Sequence, residues 1–291
     1  MEAAIEVKDL KKHFGQTKAV DGVSFDVQKG EIFGFLGPNG AGKTTTIRCL
    51  MDFIRPSSGE IRILDKDAQE DSVDLKKKIG YLANNAKFYD SWSVQKHLEY
   101  QQAFRGKSEA LSDLLKKFNL NPRIKFKNLS SGNRQKLSII LALMNDPEVL
   151  ILDEPTVALD PLLQNAFHEY IKNFTASGGT VFMSSHNLSE VERVCDRVGI
   201  IRAGKMVATE KISDMKLVKM YDIHVHSAKK IEQSALEAKG SELISHTDGS
   251  YTLKVKGDIN PILKKLAALE LKDLEITHVS LEDIFMEFYQ K

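Results

Sequence analysis

The sequence predicts an α/β fold, a largely parallel sheet covered on both faces, followed by a small α+β unit. Three observations predict it. The runs Val149-Leu150-Ile151-Leu152-Asp153 and Thr180-Val181-Phe182-Met183-Ser184-Ser185 are nearly unbroken apolar stretches separated by helical sequence, the pattern of strands buried on both faces. The run Ile32-Phe33-Gly34-Phe35-Leu36 leads into a glycine-rich loop, Gly37 to Thr45, and then into the helical stretch ending at Met51. After about Lys216 the order of elements reads β-α-β-β-α-β, the split βαβ pattern.

The elements follow in order. Val7 to Phe14 and Val20 to Val27 are β-like runs, and Lys29-Gly30 is a turn before the loop strand. Ser58-Gly59 turns into Glu60 to Leu64. Residues from about 72 to 145 change character and read as mostly helical. Ser93 is placed to cap a helix over Val94 to Phe104, and Ser108 a second through Phe118, with Leu111, Leu114, Leu115 and Phe118 on one face. Asn121-Pro122 breaks the pattern, and another helix runs from about Gly132 to Met144. Ala203-Gly204 joins two short strands as a hairpin. In the last part, strands are expected over Asp222 to His226, Glu242 to Ser245, Tyr251 to Val255 and Leu274 to Val279. Helices are expected over Ile231 to Lys239, Pro261 to Leu269 and Leu281 to Tyr289.

Bulk composition narrows the function classes. A length of 291 residues suits one large domain with one small one, and 42% apolar residues supply an ordinary core. Basic and acidic residues nearly cancel, 41 against 40, so no nucleic-acid partner is expected. Two distant cysteines, Cys49 and Cys195, read as buried thiols of a reducing compartment. The N-terminus lacks the charged and apolar blocks of a signal peptide. The apolar stretch Leu137 to Met144 is far too short to span a bilayer, so a cytoplasmic protein is expected, with any membrane role depending on a separate partner.

The loop Gly37-Pro38-Asn39-Gly40-Ala41-Gly42-Lys43-Thr44-Thr45 carries the first chemistry. Its glycines let the backbone wrap phosphates with N–H groups pointing inward. The helix that follows adds unpaired N–H donors and the positive end of its dipole. Lys43 supplies a cation for the β/γ-phosphates, and the Thr44 hydroxyl is a Mg²⁺ ligand type. The expected ligand is a nucleoside triphosphate. Asp153, ending an apolar strand, is where Mg²⁺ can be held beside such a loop, and Glu154 beside it can polarise an attacking water. Leu129-Ser130-Ser131-Gly132-Asn133 opens a helix in which Ser130 and Ser131 are N-cap types, so it reads either as a capped helix or as a second phosphate site built from a helix N-terminus.

Taken together, these motifs resemble the ATP-binding subunit of ABC transporters over about residues 3 to 215, in the family's order. Gly37 to Thr45 resembles Walker A, and Val149 to Glu154 resembles Walker B with its catalytic glutamate. Leu129 to Asn133 is similar to the family signature, Ala158-Leu159-Asp160 to the D-loop, and His186 to the switch histidine. Phe14 matches the aromatic that stacks on adenine, and Asn84 stands where the family has its Q-loop glutamine. The resemblance implies a P-loop core with an antiparallel β subdomain and a helical subdomain over about residues 84 to 145. It places an ATP-binding domain at 1–216, and the β-α-β-β-α-β order beyond reads as an accessory α+β, ferredoxin-like domain at 217–291.

The resemblance also implies ATP and Mg²⁺ as ligands, with Thr44, Asp153 and Asn84 around the ion. Two such domains, in a homodimer or a heterodimer, would dock head to tail. Each ATP would then meet Lys43, Thr44 and Glu154 of one domain and Ser130, Ser131, Gly132 and Asn133 of the other, with Asp160 nearby. ATP-driven closure would move an integral membrane subunit, with this chain peripheral on the cytoplasmic face of the membrane. The sequence departs from the family at Asn84, shorter than glutamine by one methylene, at Ser131 in place of glycine and at Asn133 in place of glutamine. Because Lys43, Asp153, Glu154 and His186 are all in place, an active ATPase is expected.

Val279-Ser280-Leu281-Glu282-Asp283-Ile284-Phe285 resembles the end of ATP subunits from ABC-2-type exporters of drugs, peptide antibiotics or sodium. The same residues also read as a packing helix, with Leu281, Ile284, Phe285 and Phe288 on one side. Phe88, Tyr89 and Trp92 are candidates to line a groove for the membrane subunit, or to be buried in the helical region. The alternatives are a soluble ABC-type ATPase acting on a non-membrane partner and a regulatory ATP binder. The first would show paired ATP domains or a long coiled coil, and intact Glu154 and His186 oppose the second.

Overall fold

Residues 2–84, 86–217, 220–247 and 249–278 are described by the structure, a computed structural model. The chain starts with two long strands, β1 (Ala3–Phe14) and β2 (Thr17–Gln28), paired antiparallel around Gly15. The loop strand β3 (Ile32–Leu36) and helix α1 (Lys43–Leu50) follow, then β4 (Ser58–Ile63), the two-residue β5 (Lys66–Asp67) and α2 (Ser72–Lys78). Next come β6 (Ile79–Leu82), α3 (Val94–Arg105), α4 (Leu111–Lys117) and α5 (Ser131–Leu143). The remainder of the first part is β7 (Val149–Asp153), α6 (Pro161–Ala176), β8 (Thr180–Ser185), α7 (Leu188–Val194), β9 (Arg197–Arg202) and β10 (Lys205–Lys211), after which α8 (Ile212–Leu217) begins the second.

Two sheets build the first unit. One is six-stranded in the order β10-β9-β3-β8-β7-β6, and the pairs β3–β8, β3–β9, β7–β8 and β6–β7 are parallel. Every residue of β3, β7 and β8 is buried, as an apolar run covered on both faces requires. The other is four-stranded and antiparallel, β2-β1-β4-β5. The sheets meet through Phe25 of β2, whose ring lies 5.6 Å from Phe33, 5.4 Å from Phe35 and 5.5 Å from Phe182. Burying each such ring contributes about 1.5–3 kcal/mol, so this contact is a main fastening of one sheet to the other. The opposite face of β3 carries Gly34, where a Cβ would stand 2.9 Å from both Cys195 Sγ and Val191 Cγ1. Helix α7 can approach the sheet there only because the side chain is missing.

The region from about 72 to 145 is mostly helical, as expected, but Ile79–Leu82 within it forms the edge strand β6, parallel to β7. Four residues carry little periodicity, and it is the pairing with β7 that selects the strand. Gly80 allows it, since a Cβ there would lie 2.2 Å from Ala142 O of α5. Ser108 does not cap α4. Its hydroxyl donates to Met144 O instead, and the helix starts at Leu111 with no side-chain cap. Ser93 does cap α3, accepting from Lys96 N at 3.1 Å.

The described residues divide into two compact units between Glu210 and Lys211. In the second, β11 (Met220–His226), α9 (Gln233–Leu236), β12 (Ser241–Thr247), β13 (Ser250–Lys256), α10 (Asn260–Leu266) and β14 (Asp273–His278) follow in sequence. The sheet order is β12-β13-β11-β14, antiparallel throughout. Its core gathers Ile223, Val225, Tyr251, Leu253 and Val255 from the strands with Leu236, Ile262 and Leu266 from the helices. Helix α9 is a single turn, shorter than the expected Ile231 to Lys239, and the Ile231 N–H is instead held by the Tyr251 hydroxyl at 2.8 Å. The segment Val279 to Phe285 and the helix expected over Leu281 to Tyr289 lie outside the described residues.

Candidate functional site

The site forms where β3, β7 and β8 end side by side, the carboxyl edge at which open α/β sheets bind ligands. Its first wall is the loop from Gly37 to Gly42. Gly37 N donates to Ser185 O at 3.2 Å, and a Cβ at Gly37 would sit 2.4 Å from Ile201 O. Gly42 holds φ +113°, where a Cβ would be 2.6 Å from Ala19 O. Both positions therefore require glycine. Gly42 is the N-cap of α1 and places no side chain on its first N–H groups. The 6% exposed Lys43 folds back over the loop, its Nζ donating to Gly37 O at 2.6 Å and Pro38 O at 3.3 Å.

The second wall comes from the ends of β7 and β8. Asp153 is fixed by two hydroxyls, with Thr44 Oγ1 donating to Oδ2 at 2.9 Å and Ser184 Oγ to Oδ1 at 2.6 Å. Ser184 Oγ also accepts from Glu154 N at 3.1 Å. Glu154 adopts φ +53°, a left-handed conformation that costs a non-glycine residue on the order of 1–3 kcal/mol. That conformation turns its buried carboxylate back into the site. Oε1 lies 3.2 Å from Lys43 Nζ, and Oε2 lies 2.8 Å from Nδ1 of His186, whose ring is half exposed. Burial, and secondarily the Asp153 charge, push the nearby Tyr81 hydroxyl up to about 12, so it stays a neutral phenol.

A pocket of about 160 Å³ collects Pro38, Asn39, Gly40, Lys43, Thr44 and Glu154 with Asn84, which stands two residues beyond β6. Thr45 lines it as well, and the buried Ala41 supports the loop through Gly204 N, which donates to Ala41 O at 2.9 Å. Phe14 ends β1 with its ring exposed and Lys12 Nζ 5.0 Å from the ring centroid. Ser130 caps α5, accepting from Asn133 N at 3.3 Å, and Asp160 caps α6, accepting from Leu163 N at 3.0 Å. Neither Asp160 nor any of Ser130, Ser131, Gly132 and Asn133 lines the pocket around Lys43. Ser131 lines a neighbouring cavity with Asn84, Gln135 and Ala158. A further groove of about 470 Å³ is walled by Phe88, Tyr89, Trp92, Tyr100 and Phe104.

Sequence reasoning missed the polar groups behind the site. Gln135 of α5 donates to Pro155 O at 2.6 Å, and Glu190 of α7 takes the hydroxyls of Thr156 and Ser185 at 2.6 and 2.7 Å. No local pattern signals them, because each meets its partners only across packed elements.

Loop, carboxylates and sheet edge together define a phosphate-loop nucleotide-binding ATPase. A family model described as ABC transporter matches residues 20–157. The uncharacterized ABC transporter ATP-binding protein YhcH of Bacillus subtilis (strain 168) is 32% identical over 294 aligned residues, covering 99% of this chain and 96% of that protein. The bacitracin transport ATP-binding protein BcrA of Bacillus licheniformis is 38% identical, covering 71% of this chain and 69% of BcrA. Among solved structures, an ATP-binding subunit of an ABC transporter superposes with a TM-score of 0.68 at 30% identity, covering 73% of this chain and 92% of that one. The dimeric bacterial ABC transporter cassette MJ0796 shares the fold, with a TM-score of 0.66 at 24% identity over 72% of this chain and 98% of that one. The chain belongs to the ABC transporter ATP-binding protein family. It is the ATP-binding, ATP-hydrolysing subunit of an ABC transporter.

Proposed function

We propose that this subunit powers an exporter. Relatives named for bacitracin transport and for linearmycin resistance support that direction, as does the resemblance of Val279 to Phe285. In this reading the chain divides into an ATP-binding domain over 1–216 and an accessory domain over 217–291. The βαββαβ order with strands β12-β13-β11-β14 supports a ferredoxin-like accessory fold.

One observation carries the mechanism: Glu154 stands between Lys43 and His186 at 3.2 and 2.8 Å, at the mouth of the phosphate loop. Lys43 and the N–H groups of Gly40 and of Gly42 to Thr45 hold the β- and γ-phosphates, the Ala41 N–H being taken by Pro38 O at 3.1 Å. Glu154 orients the attacking water and accepts its proton, while His186 positions the carboxylate and the γ-phosphate. Phe14 offers its ring to the adenine. Thr44 and Asp153 present a hydroxyl and a carboxylate oxygen 2.9 Å apart, hard donors suited to Mg²⁺, with Asn84 on the same pocket. Among the described residues no cluster of three or more His, Cys, Asp or Glu could hold a metal, so the ion would share its coordination with phosphate oxygens and water.

Because Ser130, Ser131, Gly132, Asn133 and Asp160 stand away from this pocket, a second ATP-binding domain docked head to tail would bring its own set to the γ-phosphate. The pairing is with a copy of this chain or with a different ABC subunit. The aromatic groove around Trp92 supports contact with an integral membrane subunit, which would place the chain on the cytoplasmic face of the membrane. No described helix is long and apolar enough to cross a membrane itself. Glu154→Gln tests the assignment. ATP binding should persist, turnover should fall by at least a hundredfold, and ATP should trap a dimer visible by size-exclusion chromatography. Unchanged turnover would remove Glu154 from this role.

A further inference from the structure

Glu190 sits on α7, four residues beyond His186, and is 9% exposed. Its carboxylate is divided between two segments of the active site. Oε1 accepts from Thr156 Oγ1 at 2.6 Å, and Oε2 accepts from Ser185 Oγ at 2.7 Å. Thr156 lies two residues after Glu154, and Ser185 immediately precedes His186. Across the site, Glu154 Oε2 and His186 Nδ1 are 2.8 Å apart. The connections therefore close into a ring: Glu190 to Thr156, along the backbone to Glu154, across to His186, along the backbone to Ser185 and back to Glu190.

His168 of α6 completes the environment. It is 6% exposed, and its Nε2 lies 3.5 Å from Glu190 Oε1. Its Nδ1 is buried and has no hydrogen-bond partner among the described residues. A buried carboxylate is costly unless each oxygen is hydrogen-bonded, and here both are. Glu154 needs such support, because its φ of +53° is not one the backbone would hold unaided.

We propose that Glu190 is a positioning residue for hydrolysis. Through Thr156 and Ser185 it fixes the spacing between Glu154 and His186 without touching nucleotide. This rests on the assignment of Glu154 and His186 as the hydrolytic pair. Its mechanistic content is that the two loops after β7 and β8 are tied at their rear by one anion, so that they move together.

The test uses the full chain. Thr156→Val keeps the size of the side chain and removes one link, while Ser185→Ala removes the other. Each should lower kcat for ATP hydrolysis by about ten- to a hundredfold, with KM and the affinity for ATP changed less than twofold, because misplacing a reacting group by under an ångström has effects of that size. Thr156→Ser should restore most of the rate. Combining Thr156→Val with Glu190→Gln should cost little more than the worse single variant, as members of one unit do. In the same variants the ring NMR signals of His186 should shift while those of His224 in the second unit stay in place. That readout needs no turnover.

Unchanged kcat and unchanged His186 signals in folded Thr156→Val and Ser185→Ala would overturn the proposal. So would a loss that Thr156→Ser fails to restore. If Glu154→Gln itself leaves turnover intact, the assignment beneath the proposal fails. If Glu154→Gln abolishes turnover and the Thr156 and Ser185 variants do not alter it, only the role of Glu190 fails.

Discussion

Helices α1 and α5 begin in similar sequence, a run of small residues ahead of a basic one, yet their first turns are finished differently. At α1 the N-cap is Gly42 in a left-handed conformation, and no side chain covers the first N–H groups. At α5 the N-cap is Ser130, whose hydroxyl already accepts from Asn133 N. An unfinished helix start leaves donors for an outside anion, whereas a capped one has traded one donor for local stability. The difference separates two surfaces: α1 opens with Lys43, Thr44 and Thr45 on the pocket it shares with Glu154, and α5 opens with Ser131 on a neighbouring cavity.

Breaking the α1 side of this contrast should have the largest effect. Lys43→Ala removes the cation that lies over Gly37 O, Pro38 O and Glu154, and should lower ATP turnover by about two to three orders of magnitude, measured by phosphate release. Gly42→Ala should come next. Its Cβ has no room beside Ala19 O at 2.6 Å, so the loop must open, and ATP affinity should fall at least tenfold by titration calorimetry.

Ser130 sharpens the α5 side. Ser130→Ala should lower unfolding free energy by about 1 kcal/mol, and Ser130→Gly by only a few tenths. If the Ser130 hydroxyl serves an ATP held by a second domain, both variants should lose turnover equally despite that difference. Turnover that tracked stability instead would reduce Ser130 to a cap.

The smallest effect belongs to Cys49, in α1 behind the loop. Burial raises its thiol from 9.0 to about 11, with the Lys12 charge opposing. The fold favours the neutral thiol, so this contribution is complete below the unfolded pKa and is lost as pH rises toward 11. The gap in urea midpoint between wild type and Cys49→Ala should therefore narrow between about pH 9 and pH 11.

How much was legible in the sequence follows from how local each signal is. The phosphate loop announces itself because its glycines, Lys43 and Thr44 fall within nine residues between a strand and a helix. Asp153 and Glu154 were readable because a buried strand that ends in two acids needs a reason. Strand β6 was not readable, since Ile-Gly-Tyr-Leu becomes a strand only beside β7. Glu190 was hidden for a related reason. In the run Leu-Ser-Glu-Val-Glu-Arg-Val it looks like one more charge on the outside of a short helix, and only the arrival of Thr156 and Ser185 from other elements shows that it faces inward. The first-turn serines of α5 were readable as caps, but which pocket they serve depends on a surface that one chain does not complete.

Gly80 has a mechanical consequence. A helix usually rides on a sheet over a layer of interlocking side chains. At Gly80 that layer is missing, and the backbone of β6 stands directly under Ala142 O of α5. Toward its other end α5 is pinned by Gln135 to Pro155 O, next to Glu154. The two fastenings tie α5 at one end to the strand that leads to Asn84 and at the other to the residue that follows Glu154, so one helix joins two walls of the same pocket.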